Sequence, residues 1–384
     1  MDRSLRSTRG FTLLELMVSM AIGLVLLGSA LSLYRQAVTA TFVTSQKSEM
    51  QQDFRAASNL LARDVSMAGS GSLGQFGLAA NSVGLPTGNG ATLPIYPCSS
   101  TACNFINGGS VTYPTTGAAR YLYSIMPGYN LGITVNATEG ATDIISIAYA
   151  DANLALNCYS VTFNSSTVVT FQLPITLPAT CILPTGVLTP QALNDPVVGL
   201  QAGDYILFGQ SAAGVVTTVV PATVTNSALY SSAFTVTFAL GDPGHINQPG
   251  AAGGSLAQLA AANPLISAAR LLLITYYLDI SPSDGVTPRL MRIQNGKTPQ
   301  PVAENISYLK FSYDVENNGA TTANQVSMPA GITPNMINKV NVLHMTIRSQ
   351  VKGTTGYQGL DLQTSISARN LTMGQEYPIS GSAY

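Results

Sequence analysis

From Phe11 to Leu33 the chain is an apolar run in which Glu15 is the only charge. It follows a short segment, Met1 to Gly10, that carries Arg3, Arg6 and Arg9 against one Asp2. At about 1.5 Å of rise per residue, a helix of this length crosses a bilayer core. A carboxylate near the end of such a helix is costly, which marks Glu15 as a functional candidate. A secretory signal peptide places its small-residue cleavage site after its apolar stretch. Here the small residue, Gly10, stands before it. The pattern then changes. No Pro or Gly occurs from Tyr34 to Ala68, and Met50, Phe54, Ala57, Leu61, Val65 and Ala68 recur at three- and four-residue steps. Lys47, Glu49, Asp53, Arg55 and Arg63 fall between them, so the segment reads as an amphipathic helix with one buried stripe. Gly69-Ser70-Gly71 ends it, because Gly takes the left-handed cap conformation without penalty. The spacing predicts one helix over 11–69, with a membrane half at 11–33 and an amphipathic half at 34–69.

After this helix the period falls to two. Residues 70–141 are rich in Gly, Pro, Asn, Ser and Thr. Strand-like runs follow at Asp143–Tyr149, Ser160–Phe171, Asp204–Phe208, Gly214–Thr225 and Phe234–Leu240, where β-branched residues alternate with Gly/Pro punctuation. A helical turn is expected at Ser255–Ala261 within a Gly/Ala-rich connector. The last third predicts strands at Arg270–Ile280, Leu290–Ile293, Ile306–Val315, Lys339–Ser349 and Leu360–Asn370. Leu309, Phe311 and Tyr313 alternate with polar neighbours, as do Leu343, Met345 and Ile347. That pattern indicates an antiparallel sheet with one face covered. The apolar stripe of the helix is the expected cover, since leaving either surface wet forfeits about 25 cal/mol per Å². The predicted fold class is α+β: a long N-terminal helix on an antiparallel β-sheet head. Residues 70–265 read as an elaborated β- and loop-rich insertion and 266–384 as the C-terminal sheet region.

Composition narrows the function classes. Only 9% of the 384 residues are charged and the net charge is −1, so there is no basic face with which to neutralise nucleic-acid phosphates. The Arg-rich flank lies before the span, which leaves the leader in the cytoplasm and the rest outside. In an oxidising compartment Cys98, Cys103, Cys158 and Cys181 read as disulfides. Proximity favours Cys98–Cys103 and Cys158–Cys181, with the two other pairings open. A four-thiolate zinc site calls for tighter paired spacings.

Other motifs carry less. Gly69-Ser70-Gly71-Ser72-Leu73-Gly74 spells a dinucleotide-binding G-x-G-x-x-G, but it follows a helix, where that fingerprint needs a preceding strand. Asp314-Val315-Glu316-Asn317-Asn318-Gly319 resembles half of a calcium loop, yet Gln325 stands where the closing Glu belongs. An Asn-Gly hairpin turn explains it better. The two histidines, His245 and His344, come with no recognisable nucleophile and no metal-binding spacing. No enzyme activity, cofactor or metal is expected.

Arg9-Gly10-Phe11-Thr12-Leu13-Leu14-Glu15-Leu16 resembles the type IV prepilin signature. Further stretches are similar to PilW-type minor pilins, relatives of the J-type pseudopilins of type II secretion. These are Asn59–Val65 with Ala68-Gly69, Gly203–Leu207, Thr275–Leu278 leading to Ala303–Ile306, and Ile366–Asn370. The resemblance implies cleavage of the 1–10 leader at Gly10–Phe11 by a prepilin peptidase and methylation of the new amine on Phe11. It also implies that Glu15 offsets the ammonium of a neighbouring subunit. The implied role is a non-enzymatic minor pilin that primes or caps a type IV pilus. Its partners are other minor and major pilins and the inner-membrane assembly platform. It resides in the inner membrane before assembly and at the cell surface after it. A type II secretion pseudopilin and a pilus-associated adhesin are the alternatives.

Overall fold

The computed structural model describes residues 12–70, 82–84 and 121–368, apart from 152, 179–180, 182, 184–185, 213–214, 231–232, 240–246, 248–255, 263–264, 318–319, 327–336 and 351–356. Two compact units divide the chain, one of residues 1–52 with 349–359 and one of 53–348 with 360–384. Helix α1 is a single element of 55 residues, Leu13–Met67. Met50, Phe54, Ala57, Leu61, Val65 and Ala68, the stripe expected from the periodicity, are all buried. Gly69 follows the helix with φ of 70°, the left-handed conformation that the Gly-rich stop predicts.

Seventeen strands follow among the described residues. They are β1 (Ser82–Gly84), β2 (Tyr121–Tyr123), β3 (Ile125–Gly128), β4 (Ile144–Ala150), β5 (Ser160–Phe163), β6 (Val168–Gln172), β7 (Tyr205–Ala212), β8 (Val215–Thr223) and β9 (Asn226–Tyr230). The rest are β10 (Ala233–Thr237), β11 (Leu265–Ile280), β12 (Pro288–Gln294), β13 (Gln300–Glu304), β14 (Ile306–Asn317), β15 (Ala320–Val326), β16 (Ile337–Gln350) and β17 (Tyr357–Ser367). A short helix, α2 (Leu256–Ala262), precedes β11. The largest sheet has the order β13-β12-β11-β4-β3, with β7 also pairing β11 and β8 pairing β7. Two four-stranded sheets, β5-β6-β10-β9 and β15-β14-β16-β17, and the small pair β1-β2 complete the architecture.

Two features depart from the sequence reading. The C-terminal strands form two sheets, not one: β11 and β12 join strands from the middle of the chain, while β14, β16 and β17 form a sheet of their own. The reason lies in β11, which at 16 residues is long enough to pair β7 along Leu265–Leu271 and β4 along Leu271–Tyr276. Asp143 then links the two sheets. Its amide donates to Leu309 O at 2.9 Å, its carboxylate accepts from Phe311 N at 2.9 Å, and Lys310 Nζ lies 2.8 Å away. Burial raises the Asp143 carboxyl above its ordinary range although these donors pull the other way. The second departure is that Ser160–Phe171 is a hairpin, β5-β6, and not one strand. The polar run Asn164–Thr167 makes the turn, with Asn164 N donating to Val168 O at 2.9 Å.

Asn318 and Gly319 lie outside the described residues, but the strands on either side of them pair. β14 pairs β15 with Asn317 opposite Ala320, a two-residue connection. Asp314, the first residue of the calcium-like run, accepts from Asn341 Nδ2 at 2.8 Å within the sheet.

Cys158 and Cys181 form a disulfide across 23 residues of sequence. Cys98 and Cys103 lie outside the described residues. Cys158 is fully buried and sits beside a core in which Phe208 contacts Phe163, Phe171 and Phe238 at ring-centroid distances of 5.3, 6.3 and 5.4 Å. Converting both cysteines to Ser is expected to cost roughly 3 kcal/mol on the chain-entropy account of a loop this size. Denaturant midpoints of the full chain check this, and an unchanged midpoint would show that the bridge is dispensable.

Candidate assembly site

The site begins where α1 begins. Thr12 N donates to Glu15 Oε2 at 3.1 Å, and Glu15 N donates back to Thr12 Oγ1 at 3.3 Å. The Thr12 hydroxyl also donates to Oε2 at 3.2 Å. This is a capping box, in which two backbone amides left over at a helix start satisfy each other's side chains. The spacing Thr-x-x-Glu was available in the sequence as its signal. Among the described residues Glu15 accepts through Oε2. Gly10 and Phe11 lie outside the described residues.

Beyond the cap, the first half of α1 presents apolar side chains on every side. Leu13, Leu24, Val25 and Leu33 are 79, 70, 72 and 65% exposed. Helix α1 is long and apolar enough to cross a membrane, and none of its most apolar stretch is buried. A helix apolar all round is stable only when lipid or other helices cover it. The chain itself supplies no such cover in the described residues.

At the other end, within the larger unit, the same helix is fixed to its sheet through Asp64. This carboxylate is 2% exposed and lies on the stripe between Leu61 and Val65. It accepts from Tyr149 Oη at 3.0 Å, from Tyr276 Oη at 2.7 Å and from Arg292 Nε at 2.9 Å. One helical residue thereby holds β4, β11 and β12. Burial, reinforced by the Asp64 charge, pushes both tyrosines well above their ordinary range, so each remains a donor. Asp64 is a site residue that periodicity alone does not find, because a carboxylate among apolar stripe positions reads as a solvated one. His344, on β16, pairs with Asp361 at 2.8 Å on the partly exposed face of its sheet. His245 is outside the described residues. No group of three or more His, Cys, Asp or Glu placed to hold a metal occurs among the described residues.

Residues 5–31 match the family described as the prokaryotic N-terminal methylation motif. No curated protein and no solved structure matches the chain significantly. With a long apolar helix followed by antiparallel sheets that contact it, the motif makes this a type IV pilin- or pseudopilin-like protein. The motif implies processing by a prepilin peptidase and assembly with other pilins, from the inner membrane into a pilus. It points to a structural subunit and not to an enzyme.

Proposed function

We propose that the protein is a minor pilin of PilW type, which primes or caps a type IV pilus after its leader is removed at Gly10–Phe11. The observation that carries this reading is the pairing of an uncovered apolar helix, capped at Glu15, with a head built on the same helix through Asp64. The apolar half of its helix is left without cover among the described residues, which is the condition of a subunit awaiting helical neighbours. The leader faces the cytoplasm and the head the periplasm. On entry into the fibre, Glu15 offsets the ammonium of a neighbouring Phe11, since each charge alone in an apolar bundle is costly.

The stretches that resemble PilW-type pilins support the reading by what they do in the head. Asp64 anchors the helix, Gly203 takes a φ of 88° in the turn before β7, and Tyr276 meets Asp64. Asp204 is 1% exposed and binds Lys297 at 2.6 Å. These are architectural tasks, consistent with a subunit whose work is assembly. A deletion strain is expected to lose surface pili, counted by electron microscopy. Unchanged pili together with lost protein secretion would move the assignment to a type II secretion pseudopilin.

Processing gives a separate test. Gly10→Val is expected to leave full-length precursor in the inner membrane, because a peptidase working at the membrane face needs close backbone approach and Gly has no Cβ to obstruct it. Intact mass of the mature wild-type chain should begin at Phe11 with one added methyl group. Any other N-terminus overturns the assignment of Gly10 and Phe11.

A further inference from the structure

Lys310 and Asp143 form an enclosed lysine–carboxylate pair, with side chains 12 and 2% exposed. Main chain on both sides of the lysine fixes the pair. Asp143 N donates to Leu309 O at 2.9 Å, and Phe311 N donates to Asp143 Oδ2 at 2.9 Å, so residues 309 and 311 hold the aspartate against residue 310. Lys310 Nζ donates to Asp143 Oδ1 at 2.8 Å and also to Asn130 Oδ1. Asn130 N donates to the same Asp143 oxygen at 2.8 Å. The Tyr129 and Tyr308 ring centroids stand 5.0 and 6.0 Å from Nζ.

This arrangement keeps an amine nitrogen beside a carboxyl carbon. Cγ lies one C–O bond beyond Oδ1, so Nζ is no more than about 4 Å from it, close to the ~3–3.5 Å of a near-attack pair. Fixed proximity of this kind replaces the high concentration that amide formation needs in solution. An ion pair out of water keeps two desolvated charges, whereas an amide keeps none. Burial raises the Asp143 carboxyl above its ordinary range, against the pull of its donors. Asn130 N and Phe311 N also meet the carboxyl oxygens where a tetrahedral intermediate would carry its negative charge. The Lys297–Asp204 pair offers a comparison without these conditions. Lys297 is 35% exposed to water, and Arg270 Nη1 shares the Asp204 carboxylate at 3.6 Å.

We propose that Lys310 Nζ and Asp143 Cγ join in an intramolecular isopeptide bond with release of one water. One proton passes from the ammonium to Oδ1, which leaves an amine beside a carboxylic acid. The Nζ lone pair attacks Cγ and forms the C–N bond, and the negative charge that develops on Oδ2 faces Phe311 N. A second Nζ proton moves to Oδ1, the Cγ–Oδ1 bond breaks and water departs. Ammonium and carboxylate thus become one amide and one water, with no net charge on either side and no co-reactant. The donors to the carboxylate and the rings beside the ammonium favour the charged pair, so the bond forms slowly, after folding has fixed the two groups. It makes covalent the link between the largest sheet and the β14 sheet that Asp143 already provides by hydrogen bonds.

The test is the intact mass of the purified full chain, denatured and reduced. Wild type is expected to weigh one water less than its sequence requires, and Lys310→Arg, which keeps the charge and cannot form this bond, to show its full mass. Proteolysis of wild type should release a branched peptide that links 143 to 310, and wild type should run faster than Lys310→Arg on a reducing denaturing gel. Lys297→Arg should still lose the water. A wild-type chain of full mass overturns the proposal. So does a loss of water that persists in Lys310→Arg, which marks an aspartyl succinimide. If Lys310→Arg does not fold, shown by an unformed Cys158–Cys181 bridge before reduction, the presence or absence of the branched peptide in wild type decides. The result does not depend on entry into a fibre.

Discussion

Replacing Glu15 with Gln or with Leu is expected to leave leader cleavage intact and to remove the protein from the fibre fraction. The capping box separates the two tasks this residue can perform. Gln at the third helical position still accepts from the Thr12 amide, so Glu15→Gln keeps the cap and loses only the charge. Glu15→Leu loses both. Thr12→Ala keeps the charge and forfeits part of the cap, at about 1 kcal/mol. If helix capping were the whole role, Gln would behave as wild type and Thr12→Ala would be the damaging change. If charge pairing with a neighbouring Phe11 ammonium governs assembly, Gln and Leu fail alike and Thr12→Ala is mild. Leaving an ammonium unpartnered in an apolar bundle costs several kcal/mol, enough to reduce incorporation a hundredfold or so. For the membrane-embedded precursor the sign reverses, since a charge in a bilayer helix is costly, and the roughly 2.5–3.5 kcal/mol of a central charge is an upper bound for Glu15 near the helix end. The measurement is the ratio of subunit in sheared fibres to subunit in membranes. Equal ratios for wild type and Gln with a lower one for Leu would reduce Glu15 to its cap, and equal ratios for all three would deny it any role in assembly.

Asp64→Ala is expected to destabilise the head by about 3–5 kcal/mol. The change leaves a half-buried Arg292 guanidinium and two tyrosine hydroxyls without their shared acceptor, and breaking one side of a buried pair costs in that range. Asp64→Asn retains an acceptor oxygen while losing the charge, and should cost less, about 1–3 kcal/mol. The ordering Ala worse than Asn worse than wild type follows from the three donors that converge on one carboxylate. Thermal or denaturant melting of the full chain in detergent checks it. A double-mutant cycle with Arg292→Met isolates the ionic part. Melting unchanged in Asp64→Ala would mean that the apolar stripe alone holds the helix to its sheet.

These two carboxylates also show how far a sequence can be read. Glu15 is conspicuous because it interrupts an apolar run, and a charge in such a run has few innocent explanations. Asp64 is hidden, because on an amphipathic helix a carboxylate is the ordinary occupant of the wet face. Only the positions of Tyr149, Tyr276 and Arg292, 85 to 228 residues away in sequence, turn it inward. The same contrast runs through the strands. Those with clear alternation, such as β14 and β16, were legible from period two, and the helix stripe from Met50 to Ala68 was legible from its three- and four-residue steps.

What the sequence determined by itself was local. The apolar run, the capped and Gly-terminated helix, the strand periods and the lone Glu15 all follow from side-chain chemistry acting over a few residues, where steric and solvation preferences are strong enough to be read directly. Tertiary structure decided which strands share a sheet, that β11 is long enough to serve β4, β7 and β12, and that Asp64 is a buried acceptor and not a surface charge. It also decided that Ile175 and Leu188 stay in water while Leu193, close by in sequence, joins a core. Strand partners and burial depend on contacts between distant segments, and each such contact is settled by the packing of all the others. No window along the chain contains that information.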